Sequence, residues 1–133
     1  INKTKMIPAK LIELDLQIRV HDLTSLLSDK SELTIGRRDF TPGAEQADIL
    51  LGENEKGEPN AAVFGIHGIS RRQAVIGYDP KENSYYIKDC STHGTTKIND
   101  ELLNKGERRT LEREVKLFFG KWNYGPVTFV QDF

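Results

Sequence analysis

Cys90 is the only cysteine in the chain. A lone thiol excludes an internal disulfide and a thiolate zinc cluster, and it fits a reducing compartment such as the cytoplasm. There is no secretory leader and no apolar run of membrane-spanning length, so the chain reads as soluble and no membrane partner is expected. Charge of one sign is also missing: 19 Lys and Arg oppose 20 Asp and Glu, leaving −1. Nucleic-acid binding draws on a basic excess, so no nucleic-acid partner is expected and any basic site must be local. His21, His67 and His93 are scattered, and no Cys, His or carboxylate spacing completes a metal set, so neither a metal nor a cofactor is expected. Ser70, His93 and Asp89 supply the residue types of a hydrolytic triad. With no elbow turn or oxyanion hole beside them, the expectation is a protein that is not an enzyme.

What remains is a chain of short strands. Its 133 residues are enough for one domain with a real core. The start at Ile1 suggests a fragment of a longer protein, with 1–8 as a tail or edge segment and 9–133 as a single domain. From Lys10 to Val20 the apolar Ile12, Leu14, Leu16, Ile18 and Val20 alternate with Glu13, Asp15, Gln17 and Arg19. Period two predicts one strand with that apolar set buried. His21 to Ser31 reads as a loop rather than a helical turn. Glu32 to Gly36, Ala47 to Leu51, Ala61 to Ile66, Arg72 to Tyr78 and Ser84 to Asp89 read as further strands. Thr95 to Leu103 reads as a tight hairpin on Asn99-Asp100, and Glu107 to Glu114 as a strand edge or short helix. Val115 to Phe119 and Pro126 to Val130 close the domain. Gly52 to Asn60 is polar enough for a surface loop. About ten to eleven strands, punctuated by turns about every 8–12 residues, predict an all-β, two-sheet antiparallel sandwich with its binding loops at one end.

The chemistry gathers in three stretches, each placed where a strand gives way to a turn: Gly36-Arg37, Gly68-Ile69-Ser70-Arg71-Arg72-Gln73-Ala74, and Asp89-Cys90-Ser91-Thr92-His93-Gly94-Thr95. They offer fixed cations, hydroxyls and backbone N–H groups. A phosphorylated side chain carries about −1.5 to −2 charges and three acceptor oxygens, which a planar guanidinium and neutral donors satisfy together. Arg37 follows a glycine that lets the chain turn sharply. Alternation along a strand lets only one of Arg71 and Arg72 face the rim readily, and Arg71 is the one chosen. The aromatics Tyr85, Tyr86, Phe118, Phe119, Trp122 and Tyr124 fit core and cross-strand packing better than a stacking platform.

The ordered set Gly36-Arg37, then Ser70-Arg71-Arg72-Gln73-Ala74, then Asp89-x-Ser91-Thr92-His93-Gly94-Thr95 resembles the forkhead-associated (FHA) family patterns G-R, S-R-x-H-A and D-x-S-T-N-G-T. The resemblance implies an FHA/SMAD-like sandwich that binds a phosphothreonine peptide of a threonine-phosphorylated partner. It gives Arg37 and Ser70 the phosphate, Arg71 an assisting role, Thr92 the pocket wall and His93 the peptide backbone. Gly36, Gln73, Gly94 and Thr95 shape the loops. Gln73 replaces a bracing histidine, from which a softer loop is expected. His93 replaces an asparagine; it either contacts the ligand, with pH sensitivity in the range where histidine titrates, or simply holds the turn. Gly68 stands where some members carry an arginine, and the 52–68 segment is longer than the family minimum. The alternative is a sandwich of the same shape that assembles independently of phosphorylation, through its faces or the 52–68 loop. A monomer is assumed, the oligomeric state being unreadable from the sequence.

Overall fold

The computed structural model describes residues 6–14, 18–54, 56–58 and 64–132. Among these, the strands are β1 (Ala9–Leu14), β2 (Ile18–Asp22), β3 (Glu32–Gly36), β4 (Ile49–Leu50), β5 (Ala74–Asp79), β6 (Ser84–Asp89), β7 (Thr96–Ile98), β8 (Glu101–Leu102), β9 (Arg108–Thr110), β10 (Glu114–Phe119) and β11 (Tyr124–Gln131). A six-stranded sheet runs β2-β1-β11-β10-β7-β8 and a five-stranded sheet runs β4-β3-β5-β6-β9. Their pairings are antiparallel apart from β3 with β4. The sandwich expected from the alternation is therefore the fold. No helix among the described residues is long and apolar enough to cross a membrane.

The core lies between the sheets. Leu11, Val115, Leu117, Phe119, Val127 and Phe129 come from one side, and Leu33, Ile35, Ala74, Ile76, Tyr78, Tyr85 and Ile87 from the other. Tyr85 packs edge-on against Tyr78 and tilted against Phe129, at centroid distances of 5.0 and 5.4 Å, within the range for favourable ring pairs. Its hydroxyl donates to the Ile7 carbonyl at 2.6 Å, and Met6 is buried beside it. Phe119 and Tyr124 are buried as expected, but Trp122 is 47% exposed rather than packed in the core.

The first strand departs most from expectation. Instead of one strand from Lys10 to Val20, β1 and β2 form a hairpin in which Leu14 faces Ile18; residues 15–17 lie outside the described set. The buried face is also the opposite one. Ala9, Leu11 and Glu13 point inward, while Leu14 (56% exposed), Ile18 (69%) and Val20 (55%) point outward. Alternation marks two faces without saying which one the core takes, and here Glu13 finds donors inside. Its carboxylate accepts from His21 Nε2 at 2.6 Å, from the Tyr124 hydroxyl at 2.6 Å and from the Gly52 N–H at 2.8 Å.

Smaller differences have local causes. The His21–Ser31 stretch is not simply a loop. Asp22 ends β2 and caps a helical turn, α1 (Leu23–Leu26), by accepting from the Ser25 N–H. The expected strand from Ala61 is absent over its described part, because Phe64–Gly68 is a 3-10 turn; residues 61–63 lie outside the described set. Ala47 to Leu51 contributes only the two residues of β4. The ambiguous Glu107–Glu114 segment supplies β9 as a strand edge. The hairpin at Asn99-Asp100 forms as read, with Asn99 in the left-handed region at φ 53°.

Candidate functional site

Strand register brings the three turn stretches to one end of the sandwich. Ile35 pairs with Ala74, and Ala74 pairs with Asp89, so the loops beyond Gly36, before Ala74 and beyond Asp89 adjoin. The first two are in close contact. The Arg37 N–H donates to the Ser70 carbonyl at 3.2 Å, and a Cβ built on Gly36 would lie 2.0 Å from the Arg71 carbonyl oxygen. Glycine at 36 is required by that approach.

Gln73 locks the arrangement. It is fully buried. Its Oε1 accepts from the Ser70 N–H at 2.9 Å, and its Nε2 donates to the hydroxyls of Thr95 and Thr96, both at 3.0 Å. Its own N–H donates to the Ile35 carbonyl and its carbonyl accepts from Cys90. In place of the bracing histidine, the Gln73 side chain ties the Ser70 turn to Thr95 and Thr96, and its backbone links Ile35 to Cys90. The third loop has its own organiser in Asp89, 1% exposed. Asp89 Oδ1 accepts from the hydroxyls of Ser91 and Thr96, both at 2.7 Å, and Ser91 Oγ then accepts from the Thr95 N–H at 2.9 Å. Gly94 sits at φ +65°, a left-handed position suited to glycine.

On this frame the neighbouring arginines Arg37 and Arg38 diverge. Arg38 makes a two-pronged pair with Glu53, at 2.6 and 2.8 Å, and Glu53 is only 6% exposed. Arg37 instead donates Nε to the Ile69 carbonyl at 2.8 Å and one terminal nitrogen to the Arg38 carbonyl at 3.3 Å. Carbonyls orient a guanidinium without neutralising it, so Arg37 keeps its full charge at the rim. It borders a cavity of about 500 Å³ together with Ser70, Arg71, Arg72, Cys90 and Thr92 on one side and Asp39, Glu45 and Gln46 on another.

Of the residues singled out from sequence, Arg37, Ser70, Arg71 and Thr92 thus border one cavity. His93 is exposed on the neighbouring turn and does not line it. Arg71 and Arg72 both do. They lie in the turn before β5 rather than in the strand, so strand alternation does not separate them. Arg71 reaches Asp39 at 3.1 Å. The Thr41 N–H, the Thr41 hydroxyl and then Arg71 hold the Asp39 carboxyl below its ordinary value. Burial pushes the Cys90 thiol up, so it is a poor thiolate. Sequence reasoning missed Asp39, Arg72 and Glu53. Asp39 and Arg72 adjoin the singled-out arginines and were visible as neighbours; Glu53 sits in a stretch with every mark of a surface loop, and only the fold reveals it as Arg38's counterion.

The FHA domain family model matches residues 33–120, which hold all three stretches. The chain belongs to the FHA family. Among solved structures, this FHA domain is similar to the yeast Pml1 splicing factor (TM-score 0.66, 15% identity, covering 94% of this chain and 80% of that one). It is also similar to the N-terminal FHA domain of S. cerevisiae Rad53p in complex with a phosphothreonine peptide (TM-score 0.59, 19% identity, 95% and 94%). A third is the yeast Dun1 FHA domain in complex with a doubly phosphorylated peptide derived from Rad53 (TM-score 0.54, 19% identity, 96% and 74%). No curated protein gives a significant sequence match.

Proposed function

We propose that this domain is a non-enzymatic module that recruits a threonine-phosphorylated partner protein by binding its phosphopeptide. The observation that carries this reading is the division of labour between Arg37 and Arg38. Among the described residues, one guanidinium is neutralised by Glu53 and the other is held by carbonyls alone, at the open cavity that Ser70 also lines. A dianion is the ligand that such a cation lacks. Arg37 takes the phosphate in a forked contact and Ser70 donates its hydroxyl. Arg71 exchanges Asp39 for the phosphate, Thr92 closes the wall, and His93 meets the peptide backbone from the adjoining turn. The similarity to FHA domains solved with phosphothreonine peptides supports the same reading.

The test is a titration with matched phosphothreonine and plain threonine peptides. Binding is expected for the first only. Arg37→Ala should cost about 2–5 kcal/mol of affinity, the usual loss for truncating one partner of a buried charge pair. A second reading, assembly independent of phosphorylation, draws on the outward apolar side chains Leu14, Ile18 and Val20 of the first hairpin. Equal binding of the two peptides would favour it.

A further inference from the structure

Seven large apolar side chains are exposed among the described residues, and three of them, Leu14, Ile18 and Val20, share one face of the β1–β2 hairpin. The other four, Leu26, Phe40, Leu102 and Trp122, sit on separate elements. Scattered apolar residues are ordinary on a surface, whereas a contiguous set marks a contact. Strand register orders this face into three rows: Leu14 beside Ile18, Ile12 beside Val20, and Lys10 beside Asp22. All six alternate with Leu11, Glu13, Arg19 and His21, which turn to the other side of the sheet. Two rows are therefore apolar, and the third carries one cation and one anion. The hairpin also ends its sheet, with β2 as the outermost strand.

We infer that this face is a self-association surface that stacks the hairpins of two copies of the chain about a two-fold axis running along the strands. Such an axis lays β2 of one copy over β1 of the other. Ile18 then meets the partner copy's Leu14 and Val20 meets its Ile12, while Asp22 meets its Lys10, and each contact occurs twice. The face is thus complementary to itself in both polarity and charge. The other symmetric pairings lack this match. An axis across the strands would set the Lys10–Asp22 row on the Leu14–Ile18 row, burying charge against apolar groups. Antiparallel joining of two β2 edges about Val20 would place Ile18 opposite Asp22. Aligned stacking of two sheets is also a common way for apolar strand faces to pack. Six side chains per copy are far fewer than the roughly 20–30 residues that each side of a standard interface supplies, so the dimer is weak and concentration-dependent. An axis along the strands leaves both loop rims at the same end. Such a dimer accompanies phosphopeptide binding rather than replacing it, and on the phosphate reading proposed above it presents two sites side by side to a doubly phosphorylated partner.

The experiment is sedimentation velocity of the chain without ligand, over a concentration series reaching about 1 mM. Wild type is expected to pass from monomer to dimer, and Ile18→Lys to weaken dimerisation about tenfold or more. Lys10→Asp and Asp22→Lys should each weaken it through like charges, yet an equimolar mixture of those two variants should dimerise, because every facing pair is then opposite in sign. Asp22 also caps α1, so an unchanged circular dichroism spectrum verifies that each variant is folded. A wild type that stays monomeric overturns the inference, as does a dimer that survives Ile18→Lys or a mixture that fails to associate. A peptide with two phosphothreonines on a flexible spacer of about 25 residues then tests the arrangement of the rims. It should bind wild type about tenfold or more tighter than the singly phosphorylated peptide, with no such gain for Ile18→Lys. Absence of the gain overturns the same-end arrangement. Absence of any phosphothreonine binding overturns the phosphate reading and leaves the dimer standing on its own measurement.

Discussion

Asp89 and Glu13 are both carboxylates buried to within a few percent, one at the loop rim and one beneath the first hairpin, yet they draw their hydrogen bonds from opposite ranges of the chain. Asp89 Oδ1 is served by hydroxyls two and seven residues ahead of it, while Oδ2 has no hydrogen-bond partner among the described residues. Glu13 draws on β2, on the turn after β4 and on β11, with partners 8, 39 and 111 residues away. Asp89 shapes a single turn whose Cys90 and Thr92 line the cavity beside Arg37. Glu13 staples together elements that form at distant points of the chain. The same buried side-chain group therefore orders one loop locally in one place and holds distant elements together in the other.

Substitution should separate those roles. Glu13→Ala leaves His21, the Tyr124 hydroxyl and the Gly52 N–H without their acceptor, and should cost about 3–5 kcal/mol of stability in urea unfolding. Phosphopeptide affinity of the folded fraction should not change. Asp89→Ala should cost less, about 1–3 kcal/mol, but should weaken phosphopeptide binding more than tenfold because Thr95 and Thr96 lose their anchor. If Glu13→Ala impairs binding as severely as Asp89→Ala, the contrast fails.

Acid sharpens the comparison further. Burial alone would raise the Glu13 carboxyl, but donation from His21, Tyr124 and Gly52 outweighs it and holds the group below its ordinary value. A carboxyl depressed in the fold stabilises it above the ordinary carboxyl range and loses that contribution as pH falls through the lowered value. Melting temperature should therefore drop as pH falls below about 4.5, and Glu13→Gln should flatten that decline. The smallest effect is expected on the outer face of the same hairpin. Ile18→Lys should change stability by no more than about 0.5 kcal/mol, whereas a buried isoleucine at that position would make the substitution severe.

The unequal legibility of the two regions has the same origin. Asp89, Ser91, Thr95 and Thr96 span only the end of β6, one turn and the start of β7, so the motif could be read directly from local spacing. The same holds for Gly36, whose neighbour Arg37 was identified from the turn it follows. Glu13 could not be read, because nothing near it in the chain announces Tyr124 or Gly52, and its apolar neighbours Ile12 and Leu14 suggested the opposite face. Gln73 lies between these cases. Its position was legible, but its capacity was underestimated, since an amide offers an acceptor and two donors at once and all three are used.

That amide has a bearing on how the domain responds to its surroundings. An imidazole at position 73 would gain a proton under mild acidity and lose its acceptor, loosening the rim as it did so. Glutamine has no such transition, so position 73 adds no acid-driven loosening between the Ser70 turn and the Thr95–Thr96 segment. The phosphate of a phosphothreonine, by contrast, passes from dianion to monoanion near pH 6. Acid weakening of the proposed complex would then trace to the valence of the ligand or to His93 and the rim carboxylates, and not to position 73.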